Sequence, residues 1–357
     1  MPQAQTALVI PAHLGQFKLA QIPVYSPGPG QLLIKVYAAG LNPADWKLQT
    51  SGNVVNEFPA VLGLDRVGEV VELGDTVEGF ARGDRVITSC HFIENQFQGF
   101  QQYAIANASV TGKIPANVTY DEAATIPICL GTAFSALFSE VPHGAGLPAP
   151  WTSEGRNIGS GKAILILGGA SSVGQFAIQL AKLIGYSTII ATASLKNEAL
   201  LKSHGATYVL DRSLDATALT AAVSDVTSKG LLGMVVDAIG LESTEKLGIA
   251  VLDKWHGQTG QKGTFTSSEP QTSALLKAQT ALVVANAVGI PSLPWNTKLF
   301  NVLFHDELPK WLKTGAIQPT RLEVLEGGLS AIPAGLKRLE NNQVSGLKLV
   351  VRPHETV

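Results

Sequence analysis

The sequence predicts an α/β protein in which a β-rich first third precedes a doubly wound parallel sheet. Short apolar runs separated by Gly and Pro dominate the first third of the chain. From Ala163 to about Phe304 strand-like runs alternate with helical ones, which is typical of a parallel sheet with right-handed crossovers. Residues 162–185 join a strand, a glycine turn and a helix. We therefore expect a small β-barrel and a helix-covered sheet.

The β-rich part contains runs of strand-forming residues between turn-forming pairs such as Pro29-Gly30 and Gly83-Asp84. The expected strands are 7–10, 32–38, 68–73, 85–89 and 102–106. Helices are expected at 120–126 and 132–138, and a loop rich in Pro, Gly and Ser at 141–161. The C-terminal part returns to mixed helix and strand, and it ends in a strand at 346–351.

The central unit begins with Ala163–Leu167, a wholly apolar run typical of a strand that is buried on both faces. From Ser172 the apolar residues fall three or four apart, which predicts a helix that Gly185 ends. A strand, a glycine turn and a helix together bind the diphosphate of a dinucleotide, because the unpaired amides and the dipole at the helix N-terminus attract an anion.

The turn itself departs from the G-x-G-x-x-G fingerprint of dinucleotide-binding proteins. Gly169 is expected to make the tight turn and Gly174 to allow close packing of helix and strand, but Ser171 replaces the second glycine. The expected cofactor contacts are Gly169, Ala170, Ser171, Ser172, Val173 and Gly174. The alternative is an ordinary strand-to-helix connection that binds no ligand.

The next strand, Thr188–Ala193, bears on the choice between NADH and NADPH. An NAD-binding protein places Asp or Glu after this strand, and residues 192–196 contain no acid. Ser194 can donate a hydrogen bond to a 2′-phosphate and Lys196 can supply a positive charge, so NADPH is the expected cofactor. Alternatively, these two residues cap and solvate the following helix.

The composition excludes several classes of protein. A hydrophobic content of 45% with 15% charged residues is typical of a soluble protein with large cores, and a net charge of −2 gives no reason to expect nucleic acid or an anionic membrane. Two cysteines cannot form a disulfide framework. The N-terminus lacks the features of a signal peptide, so a cytoplasmic location is expected. Residues 278–297 are uncharged, but Pro and Asn interrupt them, which favours a buried strand at 281–288 over a membrane span.

Several motifs follow one another in order along nearly the whole chain. Residues 42–47 read N-P-A-D-W-K, which resembles the N-P-x-D-x-K signature of the zinc-independent quinone and enoyl reductases in the medium-chain dehydrogenase/reductase superfamily. Further matches lie at 59–65, 83–86, 131–133, 169–174 and 345–350. The loop before Lys162, the G-G-A-S-S-V-G turn and residues 326–329 look most like the fungal trans-acting enoyl reductases of the lovastatin type.

The resemblance implies a GroES-like β-barrel catalytic domain, residues 1–126 and 305–357, and a Rossmann cofactor domain, residues 127–304. Zinc-dependent members carry their metal ligands where this chain has Ala44-Asp45 and Leu64-Asp65. Cys90-His91 are adjacent and Cys129 is isolated, which does not make the set of three ligands that a catalytic zinc needs. No metal is therefore expected.

A reaction without a Lewis acid favours reduction of a carbon–carbon double bond conjugated to a carbonyl. The resemblance implies that Lys47 donates to the carbonyl oxygen, and that Asn42 and Thr132 lie at the same nicotinamide end of the site. It also implies that Lys348 faces the cofactor phosphates, and Tyr208 is a candidate contact to the adenosine. The alternatives are a solvated loop lysine for Lys47, an edge-strand lysine for Lys348 and a core tyrosine for Tyr208. Asp45 is expected to cap a turn or helix, and Asp65 to support its loop.

Three classes of function remain open at this point. The first is an NADPH-dependent enoyl or alkene reductase, whose substrate is free or held by a partner polyketide synthase. The second is an NADPH quinone or carbonyl reductase, and the third is a protein that binds NADPH without reducing anything. Loops at 53–58, 92–100 and 267–274 are expected to shape the substrate pocket. The sequence leaves a monomer and a homodimer open.

Overall fold

The structure is a computed structural model that describes residues 2–52, 57–89, 94–227, 232–268 and 282–357. Two compact units are present: Met1–Ile128 together with Ile290–Val357, and Cys129–Gly289. The resemblance found in the sequence assigns a catalytic role to residues 1–126 and 305–357 and a cofactor-binding role to residues 127–304. This division of roles stays a prediction. Of the residues singled out from the sequence, Cys90, His91 and most of the loops at 53–58 and 267–274 lie outside the described residues.

The strands are β1 (Ala4–Ile10), β2 (Lys18–Pro23), β3 (Gln31–Gly40), β4 (Ala60–Val61), β5 (Arg66–Leu73), β6 (Arg85–Thr88), β7 (Tyr103–Asn107), β8 (Thr111–Lys113), β9 (Ala163–Leu167), β10 (Thr188–Ala193), β11 (Tyr208–Asp211), β12 (Leu232–Asp237), β13 (Gly263–Ser267), β14 (Leu282–Asn286), β15 (Leu322–Val324) and β16 (Lys348–Val351). The helices are α1 (Pro43–Ser51), α2 (Tyr120–Ala123), α3 (Pro127–Phe138), α4 (Ser172–Leu183), α5 (Glu198–His204), α6 (Ala216–Val226), α7 (Glu242–Thr259), α8 (Thr297–Asn301), α9 (Leu308–Thr314) and α10 (Ile332–Glu340). A π-helical turn, Val302–Glu307, joins α8 to α9. Short 3₁₀ turns lie at Asn95–Phe97, Ala108–Val110, Leu195–Asn197, Gly328–Ala331 and Pro353–Glu355.

The first unit contains two sheets of mainly antiparallel strands. One sheet has the order β2-β1-β4, and the other has the order β15-β16-β3-β5-β6-β8, with β7 also paired to β3. The long strand β3 is central because it pairs with β5, β7 and β16. Its apolar side chains, including Leu32, Ile34 and Val36, are buried in the core of this unit. The expected β-rich part is therefore confirmed.

The second unit contains a six-stranded parallel sheet in the order β11-β10-β9-β12-β13-β14. All five residues of β9 are buried, as its apolar run predicts. From β9 the chain first adds β10 and β11 on one side of the sheet and then β12, β13 and β14 on the other, so the order of the strands reverses between β9 and β12. In open sheets of this kind, ligands bind beyond the carboxyl ends of the strands at such a reversal. The doubly wound fold is confirmed.

The structure corrects several local expectations. Residues 43–51 form helix α1, where Lys47 was assigned to a loop; Pro43 at the first helical position and Asp45 in the first turn favour a helix start. The helix expected at 120–126 ends at Ala123, and α3 begins at Pro127, earlier than expected.

Residues 141–161 contain neither helix nor strand, as predicted. No helix within the described ranges is long and apolar enough to cross a membrane.

Candidate functional site

Three positions in the turn after β9 need glycine, either for backbone conformation or for close packing. The residue in the left-handed conformation is Gly168, at φ +75°, so the tight turn is made there and not at Gly169. A Cβ at Gly169 would lie 2.7 Å from Ala191 Cβ on the neighbouring strand. A Cβ at Gly174 would clash with the carbonyl oxygen of Gly168, so Gly174 does allow helix and strand to pack closely.

The N-terminus of α4 presents backbone N–H groups that the protein leaves unpaired. Ser171 is the N-cap, and its hydroxyl accepts a hydrogen bond from Gly174 N at 3.0 Å. The N–H groups of Ala170, Ser172 and Val173 find no acceptor among the residues that the structure describes. Because α4 is a helix of 12 residues, its dipole adds to these donors. The turn can therefore hold an anionic group.

The end of β10 holds the turn in place and adds two further side chains to the same edge of the sheet. Thr192 binds both glycines: its hydroxyl accepts from Gly168 N at 3.1 Å and its carbonyl oxygen from Gly169 N at 2.9 Å. Ser194 starts a 3₁₀ turn, but its hydroxyl makes no capping hydrogen bond. Lys196 is exposed. Ser194 and Lys196 thus follow the carboxyl end of a strand next to β9.

Tyr208 lies further from this edge. It is the first residue of β11 and pairs in register with Ile190, whereas Asp211 at the carboxyl end of β11 pairs with Ala193. The side chain is 40% exposed, so the interpretation of Tyr208 as a core tyrosine is wrong. The contact to adenosine stays a prediction.

Sequence reasoning missed Asp237 at the carboxyl end of β12. Its carboxylate is buried and accepts hydrogen bonds from the N–H groups of Ile239 and Gly240 and from the Thr244 hydroxyl. Burial raises the pKa of Asp237, and these hydrogen bonds oppose the rise. The carboxylate shapes the loop that follows the strand on the other side of the reversal. A lone acidic residue after an apolar strand was its only signal in the sequence.

The first unit contains a buried polar cluster, which we define as Asn42, Asp65 and Lys348. Asn42 Nδ2 donates to Asp65 Oδ2 at 2.8 Å, and Lys348 Nζ lies 2.7 Å from the same oxygen. Lys348 Nζ also donates to Asn42 Oδ1 at 2.6 Å. Since β16 lies between β15 and β3, the interpretation of Lys348 as an edge-strand lysine is wrong. The side chain of Lys348 is only 4% exposed.

The cluster holds the start of α1, the helix that carries Lys47. Asn42 is the N-cap, and its backbone N–H donates to Asp45 Oδ2 at 2.8 Å. Asp45 is fully buried, and burial raises its pKa to about 7. Asp45 thus closes the first turn of the helix, as a cap residue does. Lys47 itself is partly exposed on the second turn of α1.

Thr132 belongs to α3 and to the second unit. It is buried, and a Cβ at Gly289 would lie 2.8 Å from its hydroxyl oxygen. The structure thus places most of the predicted residues in two sets, and Thr132 and Tyr208 belong to neither. Residues 169–174, Ser194 and Lys196 lie along one edge of the parallel sheet, and Asn42, Lys47 and Lys348 lie at or near the start of α1 in the first unit.

No group of three His, Cys, Asp or Glu side chains converges in the part of the chain that the structure describes. At the positions where the resemblance leads one to look for zinc ligands, Asp65 is engaged with Lys348 and Asn42, and Asp45 accepts the N–H of Asn42. A catalytic zinc takes three protein ligands and an open position, whereas both of these carboxylates already have partners within the protein.

Comparisons with known proteins agree with this architecture. The family described as "Alcohol dehydrogenase GroES-like domain" matches residues 28–130, and the family described as "Zinc-binding dehydrogenase" matches residues 172–290. A trans-enoyl reductase of Aspergillus flavipes is 31% identical over 98% of this chain and 99% of its own length.

Two solved structures have the same fold. The quinone oxidoreductase of Coxiella burnetii has a TM-score of 0.72 at 25% identity, with 98% of this chain and 99% of that one covered. The acetophenone reductase of Geotrichum candidum, solved in complex with NAD, has a TM-score of 0.69 at 21% identity, with 99% and 98% covered.

Proposed function

Because the chain belongs to the medium-chain dehydrogenase/reductase superfamily of oxidoreductases, we propose that it is an NADPH-dependent reductase of activated carbon–carbon double bonds. The observation that carries this proposal is the similarity to a fungal trans-enoyl reductase over nearly the full length of both chains. The N-P-x-D-x-K motif supports it, since its lysine lies on a helix with a fixed N-terminus.

The second unit fits a nicotinamide dinucleotide. Three unpaired N–H groups at the start of α4 would hold the diphosphate, and Gly174 keeps the helix close to the strand beneath it. Ser194 and Lys196 support NADPH over NADH. The Ser194 hydroxyl and the Lys196 ammonium suit the 2′-phosphate of NADPH, whereas residues 192–196 contain no carboxylate that could accept a hydrogen bond from the 2′-hydroxyl of NADH. When bound, NADPH supplies the hydride that adds to the β-carbon of the substrate.

The role proposed for Lys47 follows from where charge develops. Addition of hydride at the β-carbon moves negative charge onto the carbonyl oxygen of the substrate, and a fixed donor that meets this oxygen lowers the barrier. The Lys47 ammonium is the proposed donor, and Thr132 is proposed to help seat the nicotinamide. A proton then reaches the α-carbon, which completes the saturated product. We propose that the reaction needs no metal.

The proposed substrate is an α,β-unsaturated thioester, either free or held by a carrier. The similar protein of Aspergillus flavipes is named a trans-enoyl reductase. We therefore propose that a polyketide synthase is the partner that presents the substrate.

A second candidate function is an NADPH quinone reductase. The observation that favours it is the similarity to the quinone oxidoreductase of Coxiella burnetii, which spans nearly the whole of both chains. This function would use the same cofactor turn, but the product would be a quinol.

The deciding experiment follows NADPH oxidation by chelator-treated protein, offered an α,β-unsaturated thioester, the matching saturated ketone or a quinone, with product mass as the readout. Saturation of the thioester at an undiminished rate supports a metal-free enoyl reductase. Turnover of quinone alone supports the second candidate, and turnover of the ketone alone supports a carbonyl reductase that uses the same cofactor. Tight binding of NADPH without turnover of any acceptor would identify a non-catalytic NADPH-binding protein.

The role of Lys47 has a separate test. Lys47→Ala should lower kcat/KM for the thioester by about a hundredfold, the usual order for loss of one fixed donor, with the Kd of NADPH within a few-fold. Lys313→Ala, which removes an exposed lysine from α9 in the same unit, is the matched control. Unchanged turnover of Lys47→Ala would remove this residue from the mechanism.

A further inference from the structure

The carboxylate of Asp65 connects residues of three elements, and all of these residues lie in the first unit. Asp65 is fully buried, and its Oδ2 accepts from Asn42 Nδ2 at 2.8 Å and pairs with Lys348 Nζ at 2.7 Å. Its Oδ1 accepts the backbone N–H of Ile128 at 2.7 Å. Ile128 is in the first turn of α3, where backbone N–H groups have no partner within the helix. The N-cap of α1, the start of α3 and strand β16 therefore share one acceptor.

The backbone packs tightly against this carboxylate. A Cβ at Gly40 would lie 2.5 Å from the carbonyl oxygen of Ala124, and also 2.9 Å from Lys348 Cε and 3.0 Å from Asp65 Oδ2. A larger residue at position 40 would therefore displace backbone as well as the ion pair. With donors on both oxygens, the carboxylate is held in place, and so is the Asn42 side chain that it binds.

We propose that Asp65, neutralised by Lys348, is a positioning residue that fixes the N-terminus of α1 and thereby the place of the Lys47 ammonium. This inference rests on the function proposed above for Lys47. Asp65 acts through Asn42, because Asn42 is the N-cap of the helix and both Asp65 and Lys348 bind its amide. A displacement of about 1 Å at a reacting group costs on the order of a hundredfold in rate, so a small shift of the helix is enough to be measured.

The test compares Asp65→Asn, Lys348→Met and the double variant Asp65→Asn/Lys348→Met. Each single variant leaves one buried charge without its partner, so both should lose stability and activity. The double variant leaves no unpaired charge and should recover the denaturation midpoint. If the pair positions Lys47, kcat of the double variant should stay about a hundredfold below that of the wild type.

The Kd of NADPH distinguishes this role from a phosphate contact by Lys348. Positioning predicts that the double variant binds NADPH within twofold of the wild type while kcat falls. Recovery of kcat together with stability would show that the pair is only structural and overturn the inference, and so would a loss of NADPH affinity with full turnover at saturating cofactor. Glu323→Gln, which breaks the partly exposed pair with Arg338 in the same unit, is the control and should leave kcat unchanged.

Amide hydrogen exchange tests the inference without a substrate. In the double variant, the amides of α1 should exchange faster than in the wild type, while those of β3 and β5 keep their protection. An unchanged α1 would overturn the positioning role, whatever the activity assays give. An inactive wild-type protein would overturn the proposed function alone, since the exchange of α1 would still decide whether Asp65 holds the helix.

Discussion

Asp45 makes the stability of this protein depend on pH in a direction opposite to that of most carboxylates. Burial is the largest cause that raises its pKa, from 3.8 to about 7, and the nearby Asp65 carboxylate adds to the rise. The folded state therefore binds this proton more tightly than the unfolded chain does. The stability that the protonated group contributes is complete below a pH of about 4 and is lost as the pH rises through about 7.

The magnitude follows from the size of the shift. A rise of roughly three pH units at 1.36 kcal/mol per unit corresponds to about 4 kcal/mol, and about 3 kcal/mol of this falls between pH values of about 5 and about 8. Asp45→Asn removes the ionisation, while the amide oxygen can still accept the N–H of Asn42. The unfolding free energy of the wild type should therefore fall by about 3 kcal/mol relative to that of the variant as the pH rises from about 5 to about 8.

Urea denaturation of both proteins across this pH range measures the difference. Asp253→Asn, which removes an exposed carboxylate from α7, shows how the loss of any one acid changes the result. The reasoning would be refuted if the difference between Asp45→Asn and the wild type did not vary with pH, or if it varied in the opposite direction.

Two further predictions concern the proposed cofactor site, one at the glycine turn after β9 and one after β10. Gly174→Ala should lower the unfolding free energy by about 1–3 kcal/mol, because the added Cβ meets backbone atoms of Gly168 that cannot move aside. Gly257→Ala is the control, because a Cβ there meets nothing within 4 Å in an exposed part of α7, and it should raise the unfolding free energy by about 0.5–1 kcal/mol. Equal losses of unfolding free energy in the two variants, measured by urea denaturation, would contradict the argument. Lys196→Ala should raise the Kd of NADPH about tenfold, the loss of one charge-assisted hydrogen bond, and leave the Kd of NADH unchanged. Titration of both cofactors checks this against Lys254→Ala, an exposed lysine in α7, and a parallel weakening of NADH would count against a 2′-phosphate contact.

The parts of the structure that sequence could predict are those with a local signal. The apolar run of β9 and the helical period of α4 identified the central unit, and both elements lie where they were expected. The turn between them was right in type but shifted by one residue, because the fingerprint aligns on Gly169 whereas the left-handed φ falls on Gly168. Helix α1 was missed because it is short and its apolar residues show no clear helical period.

The cluster of Asn42, Asp65 and Lys348 could not have been predicted from local sequence patterns. Asn42 and Lys348 are 306 positions apart, and they meet only because β16 pairs with the end of β3. Periodicity describes one element at a time, so it carries no information about a contact of this range. The resemblance could assign roles to these positions, but the choice of partner for a charged side chain was decided by the fold.

That choice of partner bears on the phosphate contact expected for Lys348. If the ammonium turned towards a phosphate, the carboxylate of Asp65 would stay behind as a buried charge with less compensation. Breaking a buried pair costs about 3–5 kcal/mol, whereas a charge-assisted hydrogen bond to a phosphate returns about 1.5–3 kcal/mol. Lys348 Nζ already lies within 2.7 Å of two acceptors inside the protein. The balance therefore favours a Lys348 side chain that stays paired with Asp65. If Lys348 bound a phosphate instead, the double variant would bind NADPH more weakly than the wild type.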